Sequence, residues 1–175
     1  MSKILVVVDM QNDFIDGALG TPEAQAILPR VIDIVRGFSG EVIFTRDTHP
    51  EDYLRTREGL ALPVSHCIKD TAGWQIQSEL EKLRLTHGYA VIDKPTFASK
   101  ELGEYLLSLN ASEPIEQILL VGLCTDICVI SNAMLIRAFL PEVKISVDSS
   151  ATAGVSPESH SRALASMSTC QIEII

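Results

Sequence analysis

The stretch KILVVVD at residues 3–9 is short, apolar and rich in β-branched side chains, and it stops on a carboxylate. An apolar run without alternation marks a strand covered on both faces, as strands of a parallel sheet are. Comparable runs follow at 41–47 (EVIFTRD), 90–93 (AVID), 117–121 (QILLV), 143–147 (VKISV) and 170–174 (CQIEI).

Helical stretches separate these runs. Thr21-Pro22-Glu23 reads as a helix start, with a threonine cap, a proline at the first helical position and an acid in the first turn. The helix it opens places Ile27, Leu28, Val31, Ile34 and Val35 on one stripe and ends near residues 37–40. A second helix is expected over 74–87, with Ile76, Leu80, Leu83 and Leu85 inward and Gly88 closing it. A third covers 99–109, with Leu102, Leu106 and Leu109. A fourth, mostly apolar and hence buried, covers 125–140. Ser156-Pro157-Glu158 opens the last with the same cap-then-proline signature as Thr21. Strands alternating with helices predict an α/β fold of three layers: a six-stranded, mainly parallel sheet with helices on both faces, formed by residues 1–175 as one domain. From His49 to Gly73 there is no clean period, and an excursion this long is usually functional.

The 175 residues carry 14 Lys and Arg against 23 Asp and Glu, a net charge of −9. That balance argues against nucleic acid, which needs a basic face, and against an anionic membrane surface. The longest apolar runs fall far short of the ~20 residues of a membrane span. Ile4 to Val8 is too short for the core of a signal peptide. A cytoplasmic chain with reduced cysteines is expected, and Cys67, Cys124, Cys128 and Cys170 show no C-x-x-C spacing of a zinc cage or redox site. The sequence leaves the oligomeric state open, a homo-oligomer included.

In a sheet of this kind ligands bind beyond the carboxyl ends of the strands. Asp9 ends the first strand, Asp47 the second and Asp93-Lys94 the third, and the fourth runs through Gly122 into Cys124 and Cys128 in VGLCTDICV. Singly, each has a plain structural use: a strand-end Asp is a turn former, a Lys is solvated, a helical Cys is packing. Together they bring an acid, a base and a thiol to one edge. Thr125 reads as an N-cap, which sets Cys128 at the third helical position, where the helix dipole and a nearby Lys94 lower a thiol's pKa. Free N–H groups there could receive an oxyanion, and Asp9 could carry protons. Spacing alone does not choose between Cys124 and Cys128.

Asp47-x-His49, Glu58 and His66 form a second constellation, suited to Zn²⁺, Mn²⁺ or Fe²⁺. Glu58 could equally pair with Arg55 or Arg57 in the same loop. There is no dinucleotide or P-loop glycine motif and no G-x-S-x-G elbow.

VVVDMQNDF at 6–14, TRDTHP at 45–50, PVSHC at 63–67, DKPTFAS at 93–99 and GLCTDICV at 122–129 resemble, in order, the isochorismatase-like cysteine hydrolases, and within them the nicotinamidases. The resemblance implies a triad of Asp9, Lys94 and Cys128, and a cis peptide before Cys124 with the backbone N–H groups of Cys124 and Cys128 as the oxyanion hole. It further implies a metal, zinc first, on Asp47, His49 and His66, with Glu58 in the place of a further histidine. Phe14, Leu19 and Phe97 would wall the pocket for a small amide. The implied reaction is nicotinamide to nicotinate and ammonia through a thioester. The alternatives are another small amide or ureide as substrate, or a non-catalytic binder on the same fold.

Overall fold

The computed structural model describes residues 2–175. Its six strands are β1 (Ser2–Val8), β2 (Glu41–Asp47), β3 (Ala90–Lys94), β4 (Ile115–Leu123), β5 (Lys144–Ala153) and β6 (Glu173–Ile174). They form one sheet in the order β3-β2-β1-β4-β5-β6, every neighbouring pair parallel. The helices are α1 (Asn12–Ile15), α2 (Pro22–Gly37), α3 (Arg57–Ala61), α4 (Ser78–His87), α5 (Lys100–Ser112), α6 (Ile130–Phe139) and α7 (Pro157–Thr169).

The pleat sorts the core into two layers. Ile4, Val6 and Val8 of β1 point into a cluster with Leu102 and Leu106 of α5, Ile136 of α6 and Met167 of α7. Leu5 and Val7 point the other way, onto Ile27, Val31 and Val35 of α2 and Leu80 of α4. Burying each such side chain contributes on the order of 2 kcal/mol, and β1 does so on both faces. Strand order reverses at the β1–β4 pair, so the crevice beyond their carboxyl ends is the switch point where such sheets bind ligands.

Several boundaries depart from the sequence expectation. The helix expected over 74–87 begins only at Ser78, capped by Gln77; Ile76 instead bridges to Gln11, which gives residues 74–76 to the site rather than to the helix. Leu85, expected inward, is 64% exposed, because the helix buries a single row centred on Leu80. The expected strand at 170–174 shrinks to Glu173–Ile174, since α7 runs on to Thr169 and Cys170 caps it. β5 is longer than expected: residues 148–151 lie opposite Val121 alone, and the Asp148 carboxylate closes this bulge by accepting from the N–H groups of Ser150 and Ala151 and from Arg30. The short α1 after β1 carries no period long enough to announce it. No helix among the described residues is long and apolar enough to cross a membrane.

One glycine fixes how closely the two central strands approach below the crevice. Gly122 has φ +112°, and a Cβ there would lie 2.1 Å from the Val8 carbonyl oxygen. Gly122→Ala should therefore cost about 3 kcal/mol or more, read as a lowered denaturant midpoint at unchanged slope. A loss under about 0.5 kcal/mol would mean that the β1–β4 approach is not tight.

Candidate active site

β1, β2 and β3 each deliver a side chain to the crevice, and β4 delivers a turn. The chain leaves β1 at Asp9 with φ +47°, a left-handed conformation unusual for a non-glycine residue and common at functional sites. Asp9 is fully buried, and its Oδ1 accepts from Thr45 Oγ1 at 2.6 Å. Lys94, the last residue of β3, is also fully buried. Its Nζ lies 2.7 Å from Asp9 Oδ2 and 3.3 Å from Asp47 Oδ1, and donates to the Thr96 carbonyl at 3.1 Å and to Cys128 Sγ at 3.4 Å. Burial pulls the Lys94 ammonium down, but Asp9, the Cys128 sulfur and Asp47 outweigh it, so it stays charged with its pKa raised.

β4 ends in a cis Leu123–Cys124 peptide and enters a π-helical turn, Thr125–Val129, before α6. Cys124 is the cap, not Thr125, so Cys128 is the fourth residue of the turn rather than the third. Thr125 is buried, and its hydroxyl meets His160 Nδ1 at 2.8 Å. The Cys124 carbonyl accepts from the N–H groups of Ile127 and Val129, passing over that of Cys128. The wide turn thus leaves the Cys128 N–H off the carbonyl to which a regular helix would tie it.

The thiol is not acidic, contrary to expectation. Burial pushes Cys128 well above the usual thiol range; Asp9 adds to this, Lys94 opposes it, and Asp47 adds again. Burial likewise pushes Cys124 up to about 12. One cation and a turn of dipole do not outweigh full desolvation beside two carboxylates. Burial in this setting therefore favours the neutral thiol over the thiolate.

The excursion after β2 builds the second cluster. His49 forms a bridge with Ile68, and its N–H donates to the Cys67 carbonyl, which brings His66 alongside. α3, capped by Thr56, carries Glu58 over the top. One ligand atom from each of Asp47, His49, Glu58 and His66 falls within 4.8 Å of the others. His49 Nε2 lies 2.9 Å from Asp47 Oδ2 and 3.6 Å from Glu58 Oε1; His66 Nε2 lies 3.7 and 3.9 Å from the same two atoms. The ion contacts of Glu58 among the described residues are with these histidines, not with the arginines of its loop.

His66 Nδ1 donates to the Val64 carbonyl, which aims Nε2 at the carboxylates of Asp47 and Glu58. Asp47 holds its proton loosely: burial raises its pKa, but the two imidazoles and Lys94 bring it below the usual carboxylate range. Among the described residues, buried Asp9 Oδ2 and His49 Nε2 make no well-aligned hydrogen bond, although each sits in an ion-pair contact, with Lys94 Nζ at 2.7 Å and with Asp47 Oδ2 at 2.9 Å. The first is a carboxylate oxygen held against a cation, and the second a ligand-type nitrogen held against a carboxylate. Two imidazoles and two carboxylates form a donor set that fits a divalent cation.

Phe14, Leu19 and Phe97 line a small cavity with Leu62, Ile127 and Cys124, and it reaches from Cys128 to Asp47, Glu58 and His66. Leu62 and Ile127 escape a sequence reading, since neither stands out from its apolar or loop context. Gln11 escapes it too. Its buried amide donates to the carbonyls of Asp47 and Trp74 and accepts from the Asp47 N–H, clamping the end of β2. Asp13 accepts from the Cys67 N–H at 2.7 Å and anchors the His66 segment. Their signal was the D-x-Q-x-D spacing, which placed them in a motif but gave them no task.

Residues 3–175 match the family model described as the isochorismatase domain. A nicotinamidase/pyrazinamidase of Mycobacterium tuberculosis is 28% identical over 99% of this chain and 98% of its own length. Two crystal structures, each 27% identical, cover at least 99% of both chains: a pyrazinamidase of Pyrococcus horikoshii in complex with zinc, with a TM-score of 0.80, and a nicotinamidase/pyrazinamidase of Bacillus subtilis, with a TM-score of 0.84.

The electrostatics predict opposite effects of two substitutions on alkylation of Cys128, which consumes thiolate. Asp9→Asn removes a carboxylate that raises the thiol pKa, so labelling at neutral pH should quicken about tenfold; Lys94→Ala removes the cation that lowers it, so labelling should slow about tenfold. The check is the pH–rate profile for iodoacetamide with the modified peptide identified by mass. Profiles that move together, or not at all, would separate Cys128 from both groups.

Proposed function

The chain belongs to the isochorismatase domain family and is an amidohydrolase of it, and from that premise we propose that it hydrolyses nicotinamide, or a close aromatic carboxamide with a ring nitrogen, to the acid and ammonia. The observation that carries the reading is the cavity, which has a thiol at one end, a metal-type donor set at the other, and apolar walls between. That spacing suits one flat ring with an amide on one side and a lone pair on another. Relatives named as nicotinamidases and pyrazinamidases support it.

Asp9 Oδ2 accepts the Cys128 proton, and Sγ attacks the carboxamide carbon. Burial raises the Asp9 pKa, which suits a proton carrier, while Lys94 opposes that rise and touches both the carboxylate and the sulfur. The N–H groups of Cys124 and Cys128, on the turn that passes over the latter, receive the negative charge that develops on the amide oxygen. Asp9 then passes its proton to the departing nitrogen, and ammonia leaves a thioester on Cys128. Water adds to the thioester with Asp9 again as base, releasing the carboxylic acid and returning the proton to sulfur. Phe14, Leu19 and Phe97 hold the ring flat and keep bulk water from the sulfur. Asp47, His49, Glu58 and His66 would hold a divalent ion, zinc first, which when bound offers the ring nitrogen a coordination position.

Ammonia release tests the reading. Benzamide has the shape and the amide but no ring nitrogen, so its kcat/KM should be about 10²–10⁴-fold lower than that of nicotinamide. Chelation or His49→Ala should remove most nicotinamide turnover. Cys128→Ala should abolish it, whereas Cys124→Ala, which keeps the backbone N–H, should retain measurable activity. Equal rates on the two amides, insensitive to chelator, would leave a general cysteine amidase instead.

A further inference from the structure

We infer that Asn132 is a positioning residue that sets the gap between the pocket wall and the nucleophile, and thereby the selectivity for a flat substrate. It lies in α6, one turn beyond Cys128, and is fully buried. Asparagine is a poor helix former and a costly residue to bury, so its place needs a reason. The reason is threefold. Nδ2 donates to the Cys128 carbonyl at 2.8 Å and to the Phe97 carbonyl at 3.0 Å, while Oδ1 accepts from the Ser99 N–H at 2.9 Å. Both amide hydrogens and one oxygen lone pair are thus used, and the three partners come from two separate parts of the site. An aspartate would keep the acceptor and lose both donors; a serine would be too short to span them.

Phe97 is 42% exposed, so packing alone does not hold it. Its position follows from its backbone, and that backbone is fixed from two sides. Lys94 Nζ holds the Thr96 carbonyl. Asn132 holds the Phe97 carbonyl and the N–H of Ser99, the residue that caps α5. The same Asn132 amide holds the Cys128 carbonyl. Wall and sulfur are therefore referenced to one side chain, and moving either requires breaking a buried hydrogen bond.

The substrate side of this inference rests on the proposed hydrolysis, so its test has an arm that does not. The first arm is a kinetic cycle on nicotinamide with Asn132→Ala, Phe97→Ala and the double variant, with rates normalised to the thiol titrated in folded protein. Asn132→Ala should lower kcat/KM about 10²-fold, largely through KM, and should change it less than about 3-fold further once Phe97 is already alanine. Equal losses in both backgrounds would overturn the inference, because a merely structural role adds independently. The second arm compares alkylation of Cys128 by iodoacetamide and by its N-phenyl derivative, mapped by peptide mass. Asn132→Ala should shift the ratio of the two rates about tenfold as the gap loosens; an unchanged ratio would overturn the inference. Asn132→Ser serves in both arms if the alanine variant does not fold. If the wild type releases no ammonia from nicotinamide, the substrate reading fails, and the alkylation arm still decides the role of Asn132.

Discussion

The site turns on one buried ammonium. Lys94 has no solvent contact, yet its Nζ reaches Asp9, Asp47, the Thr96 carbonyl and Cys128 Sγ, all within 3.4 Å. An unpaired charge at that depth would cost several kcal/mol, and so would each carboxylate without it. The charges hold one another as a set, which couples Cys128 at one side of the cavity to Asp47 at the other. Asp9 and Asp47 leave adjacent strands, and Lys94 leaves the strand beyond, so the sheet order itself supplies the spacing.

Around that cation the polar support is made of side chains whose partners are mostly backbone. Gln11 clamps Asp47, Asp13 anchors the segment after His66, and Asn132 ties Phe97 to Cys128. Each is a buried or partly buried polar group with its partners met, which is the condition for rigidity rather than cost. The excursion after β2 gains its order the same way: Tyr53 is buried against His49 and His66 and donates its hydroxyl to the Leu62 carbonyl, closing the loop that carries Glu58.

How far the sequence could be read follows from what each feature depends on. Parallel strands buried on both faces leave an uninterrupted apolar run, so the sheet was legible, and topology then fixed which strand ends meet. Asp9, Lys94, Asp47 and the cysteine turn stand together for that reason. The π-helical turn was not legible, because its first residues carry ordinary helical signals and the shift to Cys124 as cap depends on how β4 ends. Trp74–Gln77 looked helical by period but is held by Gln11 across the chain. The thiol's pKa was misjudged because local rules weigh the dipole and the lysine and cannot weigh burial. Asn132 was invisible, since a lone asparagine in a helical stretch has no period to break.

In the proposed reaction a neutral Cys128 thiol, served by Asp9 and held by Lys94, takes the acyl group. Acid quenching during turnover of nicotinamide, followed by digestion and peptide mass analysis, tests it most directly. A nicotinoyl thioester is expected on the peptide containing Cys128, located to that residue by fragmentation and absent from Asp9→Asn. An acyl group on Cys124, or steady turnover with no acylated cysteine in a quench fast enough to precede its hydrolysis, would contradict it.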